Sequence, residues 1–134
     1  MSIDIRNTVF VNIDTQKDFM NSDGSLYVTD AEKIKPRLKY MTELARDCNV
    51  RVINTMDWHY EDAEELSDDP DFSVTFPPHC IIDTHGVELI EETNPSNPFI
   101  IDWAINMDIK LEDMTNRNIV IRKDKFDLFT NPNT

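Results

Sequence analysis

Residues 8–14 read Thr-Val-Phe-Val-Asn-Ile-Asp, a short apolar run that is rich in β-branched residues and ends in an acid. This pattern is typical of a buried strand that carries a carboxylate, Asp14, at its carboxyl end. A second run of this kind, Val50-Arg-Val-Ile-Asn-Thr, leads into Asp57-Trp58-His59, and a third, Asn118-Ile-Val-Ile-Arg-Lys123, ends in a lysine. The three runs predict strands whose polar groups meet at one edge of a sheet, where ligands bind in open α/β proteins.

One helix is predicted between the first two strands. Pro36 suits the first position of a helix, which we expect to continue to about Asp47. Its apolar stripe, at spacings of three and four residues, consists of Leu38, Met41, Leu44 and Ala45. A strand, a helix and a second strand predict a parallel pair with a right-handed crossover. With a further short strand expected in Phe99-Ile-Ile-Asp-Trp103, the fold class is α/β with a mainly parallel sheet.

The length of 134 residues corresponds to one domain, and the composition excludes several classes of protein. A net charge of −13 would repel nucleic acid and anionic membranes. No apolar run approaches the ~20 residues of a membrane helix, and the N-terminus lacks the layout of a signal peptide, so we expect a cytoplasmic protein. The two glycines, Gly24 and Gly86, are too far apart for a phosphate-binding loop, and the two cysteines, Cys48 and Cys80, do not form a CxxC zinc motif.

Three residues have the chemistry of metal ligands. Asp57 and His59 are two positions apart, so in an extended chain their side chains point to the same side and can converge on one ion. His79 follows two prolines that stiffen its loop, and it can supply a third ligand. A carboxylate and two imidazoles with open positions suit zinc, iron or manganese. From spacing alone, an Asp-x-His pair is more often part of a polar loop, and a histidine after prolines is more often part of a capped turn. The metal site and these structural explanations both stay open at this point.

Asp14 and Lys123 have the chemistry of a base and of a group that stabilises negative charge. Each residue also has a structural interpretation. Asp14 can be a helix cap or a salt-bridge partner, and Lys123 can be a solvated lysine at the end of a strand. Neither side chain is an obvious nucleophile, so the pair by itself does not define a reaction.

Four blocks of sequence together resemble the isochorismatase-like cysteine hydrolases, and especially the nicotinamidases among them. The first block is Val9-Phe-Val-Asn-Ile-Asp-Thr-Gln-Lys-Asp-Phe19 with Gly24-Ser-Leu26, and the second is Asp57-Trp58-His59. The third is Phe76-Pro-Pro-His-Cys80 with Thr84-His-Gly-Val-Glu-Leu89, and the fourth is Lys123-Asp-Lys-Phe-Asp-Leu-Phe129. The blocks occur in the order of the family and cover most of the chain.

The resemblance implies a three-layer α/β/α, Rossmann-like fold and a metal-dependent cysteine amidohydrolase. Such an enzyme converts nicotinamide to nicotinate and ammonia through a thioester. In this family an Asp, a Lys and a Cys form the catalytic triad. Asp14 would then be the general base for the thiol, and Lys123 would orient the acid and stabilise charge.

The resemblance also implies a cofactor and a substrate site. One divalent metal, with zinc favoured over iron or manganese, would be held by Asp57, His59 and His79. The metal would bind the pyridine nitrogen of a small amide substrate. Phe19 and Phe76 occupy positions where the family stacks aromatic rings on the substrate.

The sequence departs from the family pattern in three places, one of which is the acid-rich loop at residues 61–71, where loops of the family shape the substrate pocket. The nucleophilic cysteine of the family follows a further strand beyond the lysine motif, and this sequence ends before it. We therefore expect residues 1–134 to be a hydrolase domain without its C-terminal portion, inactive alone, with neither Cys48 nor Cys80 as a substitute nucleophile. Many nicotinamidases also carry a further histidine after the Asp-x-His pair. Glu65 lies near that position here, where it could ligate the metal directly or through water.

Three other functions stay open. A metal-free isochorismatase-like hydrolase would have no use for Asp57, His59 and His79 together. A phospho-receiver domain has a similar length and a strand-end lysine, but it needs adjacent acids after the first strand, and Asp14 is followed by Thr15. A non-catalytic metal-binding or assembly module stays open because the nucleophilic cysteine of the family is not in the sequence.

The strand order of the family would leave the first strand without a neighbour on one side. The strand at residues 50–55 would lie next to the one at 9–13, and the strand at 119–122 would lie beyond it. The apolar residues of this uncovered edge would be Val9, Phe10, Val11 and Ile13. Such an edge has unpaired backbone groups that readily pair with another chain. We therefore expect a homo-oligomer, or association with the C-terminal portion, instead of a compact monomer.

Overall fold

A sheet of four parallel strands forms the centre of the molecule, and the computed structural model describes residues 4–134. The strands are β1 (Val9–Ile13), β2 (Arg51–Asp57), β3 (Phe99–Ile101) and β4 (Ile119–Lys123). Their order across the sheet is β1-β2-β4-β3, and every neighbouring pair is parallel. The α/β class, the parallel sheet and the predicted order of β1, β2 and β4 are confirmed.

The principal helix, α2 (Lys35–Asp47), connects β1 to β2 and has Pro36 in its first turn, as predicted. A single turn of helix, α1 (Lys17–Met20), precedes it. Short 3₁₀ helices lie at Ile5–Asn7, Ala31–Ile34, Leu111–Met114 and Leu128–Thr130. Within residues 4–134, no helix combines the length and the apolar character that a membrane crossing needs.

The buried apolar residues lie mainly on one face of the sheet. Side chains alternate along a strand, and the register places Val52 and Met56 of β2 on the same face as Val120 of β4. One cluster joins Val52 to Ala45 of α2. A second cluster joins Met56 and Val120 to apolar residues from the loop after β2, namely Cys80, Val87 and Leu89. The loop after β2 therefore packs onto the sheet beside α2.

The outer strand β1 leaves its other face open. Val9, Val11 and Ile13 are 48%, 51% and 70% exposed. Phe10 alternates to the opposite face and packs, partly buried, against the cluster of α2. Within the described residues, β1 pairs only with β2. β1 is therefore the expected edge strand, and three of the four apolar side chains expected to be uncovered are exposed. Phe10 is the exception, because alternation along the strand turns it toward α2.

The parallel register brings the carboxyl ends of three strands together. Asp57, the last residue of β2, is the register partner of Lys123, the last residue of β4. Ile13 of β1 pairs with Thr55, so Asp14 follows directly beside them. The polar groups that the sequence placed at three strand ends thus meet at one edge of the sheet.

Candidate active site

Lys123 forms the centre of a group of charges at this edge. Its ammonium nitrogen donates to Oδ1 of Asp57 and lies 3.2 Å from Oδ2 of Asp14. The side chain of Lys123 is 4% exposed, whereas that of Asp14 is 25% exposed. One buried cation therefore bridges a buried carboxylate and a second carboxylate that is open to solvent.

Asp14 is held at the end of β1 by Thr55 of the neighbouring strand. The Thr55 hydroxyl donates to Oδ1 of Asp14 over 2.7 Å, and the Asp14 amide donates to the Thr55 carbonyl over 3.2 Å. The backbone of Asp14 has φ 51°, in the left-handed region that few non-glycine residues adopt. Strain of this kind is common at functional sites, because the surrounding structure has to maintain it.

Burial and charge act in opposite directions on the buried pair. Burial tends to raise the pKa of Asp57, but the neighbouring imidazoles of His59 and His79 and the charge of Lys123 hold it well below its usual range. Burial likewise tends to lower the pKa of Lys123, and the two carboxylates beside it, Asp57 and Asp14, raise it above its usual value. Both groups are therefore charged, so Lys123 can stabilise negative charge that develops nearby.

The second oxygen of Asp57 faces two histidines. Its Oδ2 lies 3.7 Å from Nε2 of His59 and 3.5 Å from Nε2 of His79. One donor atom from each of the three side chains lies within 4.8 Å of the others, and all three residues are buried. The structure therefore brings together the three residues that the sequence offered as metal ligands.

Backbone hydrogen bonds join the segments that carry the two histidines. The His59 amide donates to the Cys80 carbonyl over 3.2 Å, and the Ile82 amide donates to the His59 carbonyl over 2.9 Å. The ring of His79 is fixed by its Nδ1, which lies 2.7 Å from the Pro77 carbonyl oxygen. Because a carbonyl only accepts, Nδ1 carries a proton, and in the neutral ring the lone pair is on Nε2, which faces Asp57. Burial tends to lower the pKa of His79, but its bonds to Asp57 and Pro77 raise it overall.

The donor set fits a transition metal. An imidazole lone pair and a carboxylate oxygen that face each other in a buried site repel unless a proton or a cation lies between them. One carboxylate and two imidazoles with further positions open are ligands that zinc, iron and manganese accept. Glu65 is not among the three grouped residues, and its Oε1 accepts instead from the Phe126 amide over 3.2 Å.

Gln16 is a positioning residue to which the sequence analysis assigned no role. It is fully buried. Its side chain accepts from the Asp57 amide and donates to the Asp57 carbonyl, each over 2.7 Å, and donates to the Val87 carbonyl over 2.9 Å. Gln16 thus fixes the backbone of Asp57 on both sides. Its place in the first motif, two residues after Asp14, was the available signal.

Asp18 fixes the loop that carries His79. Its buried carboxylate accepts from the Ser25 amide over 3.0 Å and from the Cys80 amide over 2.7 Å. A Cβ atom on Gly86 would lie 2.2 Å from this carboxylate, so only glycine fits there. Asp18 therefore connects the turn after β1 to the residue next to His79.

The two predicted aromatic substrate contacts occupy different surroundings. The ring of Phe19 lies 5.3 Å from that of His79, beside the candidate metal group. The ring of Phe76 packs edge-on against Phe126 at 5.2 Å and against Phe72 at 6.2 Å. Phe76 thus belongs to a small aromatic cluster between the loop after β2 and the segment after β4. Contact of either ring with a substrate stays a prediction.

Neither cysteine has the surroundings of a nucleophile. Cys80 is fully buried, and burial together with the carboxylates of Asp57 and Asp18 raises the pKa of its thiol far above the usual value. A thiol in such surroundings is not ionised and does not attack a carbonyl. Cys48 follows α2 and precedes β2, so it lies at the opposite end of the strands from Asp14.

Comparison with known proteins supports the similarity that the motifs indicated. No family model matches the chain. Over 76 residues, or 57% of the chain, it is 33% identical to the nicotinamidase/pyrazinamidase of Mycobacterium tuberculosis and covers 40% of that protein. Over 123 residues, it is 28% identical to the nicotinamidase of Saccharomyces cerevisiae, in a match that covers 75% of the chain and 53% of that protein.

Solved structures show the same fold. The pyrazinamidase/nicotinamidase of Streptococcus mutans matches with a TM-score of 0.61 at 25% identity, over 91% of this chain and 59% of that one. The pyrazinamidase of Pyrococcus horikoshii in complex with zinc matches with a TM-score of 0.59 at 21% identity, over 87% and 51%. An isochorismatase-like hydrolase of Alkaliphilus metalliredigens matches with a TM-score of 0.56 at 21% identity, over 87% and 51%.

The fold is that of the isochorismatase-like hydrolases. In sequence the chain is similar to the two nicotinamidases named above, and it spans about half the length of these curated relatives.

Proposed function

We propose that the protein provides the metal site and the acid–base pair of a nicotinamidase-like amidohydrolase, which acts on a small amide in the cytoplasm. The observation that carries this proposal is the position of Asp57. One of its oxygens accepts from Lys123, which also lies beside Asp14, and the other faces His59 and His79. A base, a cation and a candidate metal group thus share a single edge of the sheet.

Each residue then has a definite task. Asp14, open to solvent and held by Thr55, takes the proton of a thiol nucleophile. The thiolate sulfur bonds to the amide carbonyl carbon, ammonia leaves with a proton returned by Asp14, and water cleaves the thioester to give the acid. Lys123, 3.2 Å from Oδ2 of Asp14, orients this carboxylate and stabilises the charge on the carbonyl oxygen.

The remaining residues bind and orient the substrate. A metal ion on Asp57, His59 and His79 would supply a Lewis acid that binds a ring nitrogen and so orients a pyridine-type amide. Phe19, beside His79, and Phe76 would stack on the substrate ring.

The nucleophile of this hydrolase is supplied by neither Cys48 nor Cys80. This part of the proposal is supported by the burial of Cys80 and by the place of Cys48 at the opposite end of the strands. The chain matches about half of the length of each curated relative.

Binding of the ring nitrogen can be tested without hydrolysis. The chain is loaded with cobalt(II), whose visible absorption reports on its ligands, and it is titrated with nicotinamide. Benzamide, which keeps the amide but lacks the ring nitrogen, is the matched control. We expect a saturable spectral change with nicotinamide and none with benzamide. A spectrum that nicotinamide leaves unchanged would contradict the proposed substrate class.

A non-catalytic metal-binding module is the second candidate, and the surroundings of the two cysteines favour it. Such a module would bind cobalt, but nicotinamide would not alter the spectrum. A metal-free isochorismatase-like hydrolase would bind no cobalt at this site. The same titration therefore separates all three functions.

A further inference from the structure

His59 and Asp124 place two buried polar atoms opposite each other. Nδ1 of His59 lies 3.5 Å from Oδ1 of Asp124. Both atoms are shielded from solvent, and neither makes a hydrogen bond of ordinary geometry with any described residue. Since a buried polar group without a partner destabilises the fold, the facing pair needs a physical explanation.

The carboxylate determines which nitrogen of His59 carries the proton. A carboxylate oxygen only accepts, so an unprotonated Nδ1 would direct its lone pair at another lone pair. With the proton on Nδ1, the contact is attractive, and a small closure of the 3.5 Å gap makes a hydrogen bond. In the neutral ring the lone pair is then on Nε2, 3.7 Å from Oδ2 of Asp57, and a cation held by both atoms would remove the repulsion between them.

His79 is held in the same form by another acceptor, the Pro77 carbonyl at 2.7 Å from its Nδ1. Both rings thus direct an unprotonated Nε2 toward Asp57. We propose that Asp124 is a positioning residue of the metal site, which holds His59 in its Nδ1-protonated form and leaves Nε2 free for a divalent cation. This inference rests on the proposed binding of a metal by Asp57, His59 and His79.

The lysines on either side of Asp124 form ion pairs with other carboxylates. Lys123 donates to Asp57, and the ammonium of Lys125 lies 2.6 Å from a carboxylate oxygen of Glu64. The carboxylate of Asp124 is therefore available to His59. A carboxylate that accepts the second N–H of a ligating imidazole orients the ring and makes its other nitrogen more basic, which strengthens metal binding.

Two variants separate the accepting oxygen from the charge. Asp124→Ala removes both, whereas Asp124→Asn removes the charge and keeps an oxygen that can accept from Nδ1. The affinity of each for zinc is measured by competition with a chelator. We expect Asp124→Ala to weaken zinc binding about 10–100-fold, and Asp124→Asn, which still orients the ring but makes Nε2 less basic than the carboxylate does, to weaken it less.

The matched control is Asp127→Ala. Asp127 lies in the same segment, but its carboxylate accepts from the Phe129 amide over 2.9 Å. We expect this variant to bind zinc with wild-type affinity. Equal losses in Asp124→Ala and Asp124→Asn, or wild-type affinity in Asp124→Ala, would overturn the assignment.

The position of the proton is measured directly by nitrogen-15 NMR of the imidazole rings. The metal-free wild-type chain is used at a mildly alkaline pH, where an ordinary histidine is neutral. We expect the proton of His59 on Nδ1, and a proton on Nε2 would overturn the inference even if Asp124→Ala did not fold. If the wild-type chain binds no zinc, the proposed function fails, and the NMR result still decides the role of Asp124.

Discussion

Two side chains of the first motif, Gln16 and Asp18, act on the site through backbone groups far along the chain. Gln16 binds the amide and the carbonyl of Asp57, and Asp18 binds the amide of Cys80, next to His79. These contacts fix the strand and the loop that carry the proposed ligands. A carboxylate suits position 18 because the backbone amides of Ser25 and Cys80 each donate to one of its two oxygens.

Replacement of Asp18 by asparagine should destabilise the fold. An amide side chain offers one oxygen and one NH₂ group, so one of the two backbone amides would face a donor instead of an acceptor. We expect Asp18→Asn to lower the free energy of unfolding by about 1–3 kcal/mol, measured by urea denaturation. Asp23→Asn, at an exposed position of the following turn, is the control and should change it by less than about 0.5 kcal/mol. If Asp18→Asn and Asp23→Asn have the same free energy of unfolding, the carboxylate of Asp18 is not required for the stability of the fold.

At the scale of elements, the strands and α2 could be predicted from the sequence because their apolar residues are periodic. β1, β2 and β4 begin and end within about two residues of the predicted bounds, and only residues 99–101 of the expected strand at 99–103 pair with a neighbour. The candidate ligands could be named because strand ends and family motifs place them. The roles of Gln16 and Asp124 could not be predicted from the sequence, because packing between segments that are distant in sequence determines which groups they contact.

The open face of β1 leads to a prediction about association. Val11 is 51% exposed beside Val9 and Ile13, and an apolar strand without an outer neighbour tends to pair with another chain. We expect the wild-type chain to be larger than a monomer in size-exclusion chromatography with light scattering. Val11→Lys should shift it toward the monomer, because a charged side chain on an edge strand opposes pairing.

Leu111→Lys is the control for that shift. Leu111 is 85% exposed but lies in a 3₁₀ helix away from β1, so the substitution should leave the association unchanged. A compact wild-type monomer with a cooperative melting transition would contradict the prediction.

At the scale of the whole molecule, the chain combines a proposed metal site and a base with two cysteines that are unsuited to attack. Covalent catalysis requires an activated thiolate within about 2.6–3.2 Å of its base. We therefore expect this chain alone to release no ammonia from nicotinamide, measured by a coupled ammonia assay. Ammonia release that Cys80→Ala or Cys48→Ala abolishes would assign the nucleophile to one of these residues and contradict the account.

The central claim is that Asp57, His59 and His79 hold one transition metal beside Asp14 and Lys123, and elemental analysis of protein prepared without chelators tests it most directly. We expect about one transition ion per chain in the wild type, as three protein ligands with an open position bind a single ion. His79→Ala should lose most of it, whereas His85→Ala, at an exposed histidine outside the group, should keep it. Metal content that His79→Ala leaves unchanged would contradict the claim.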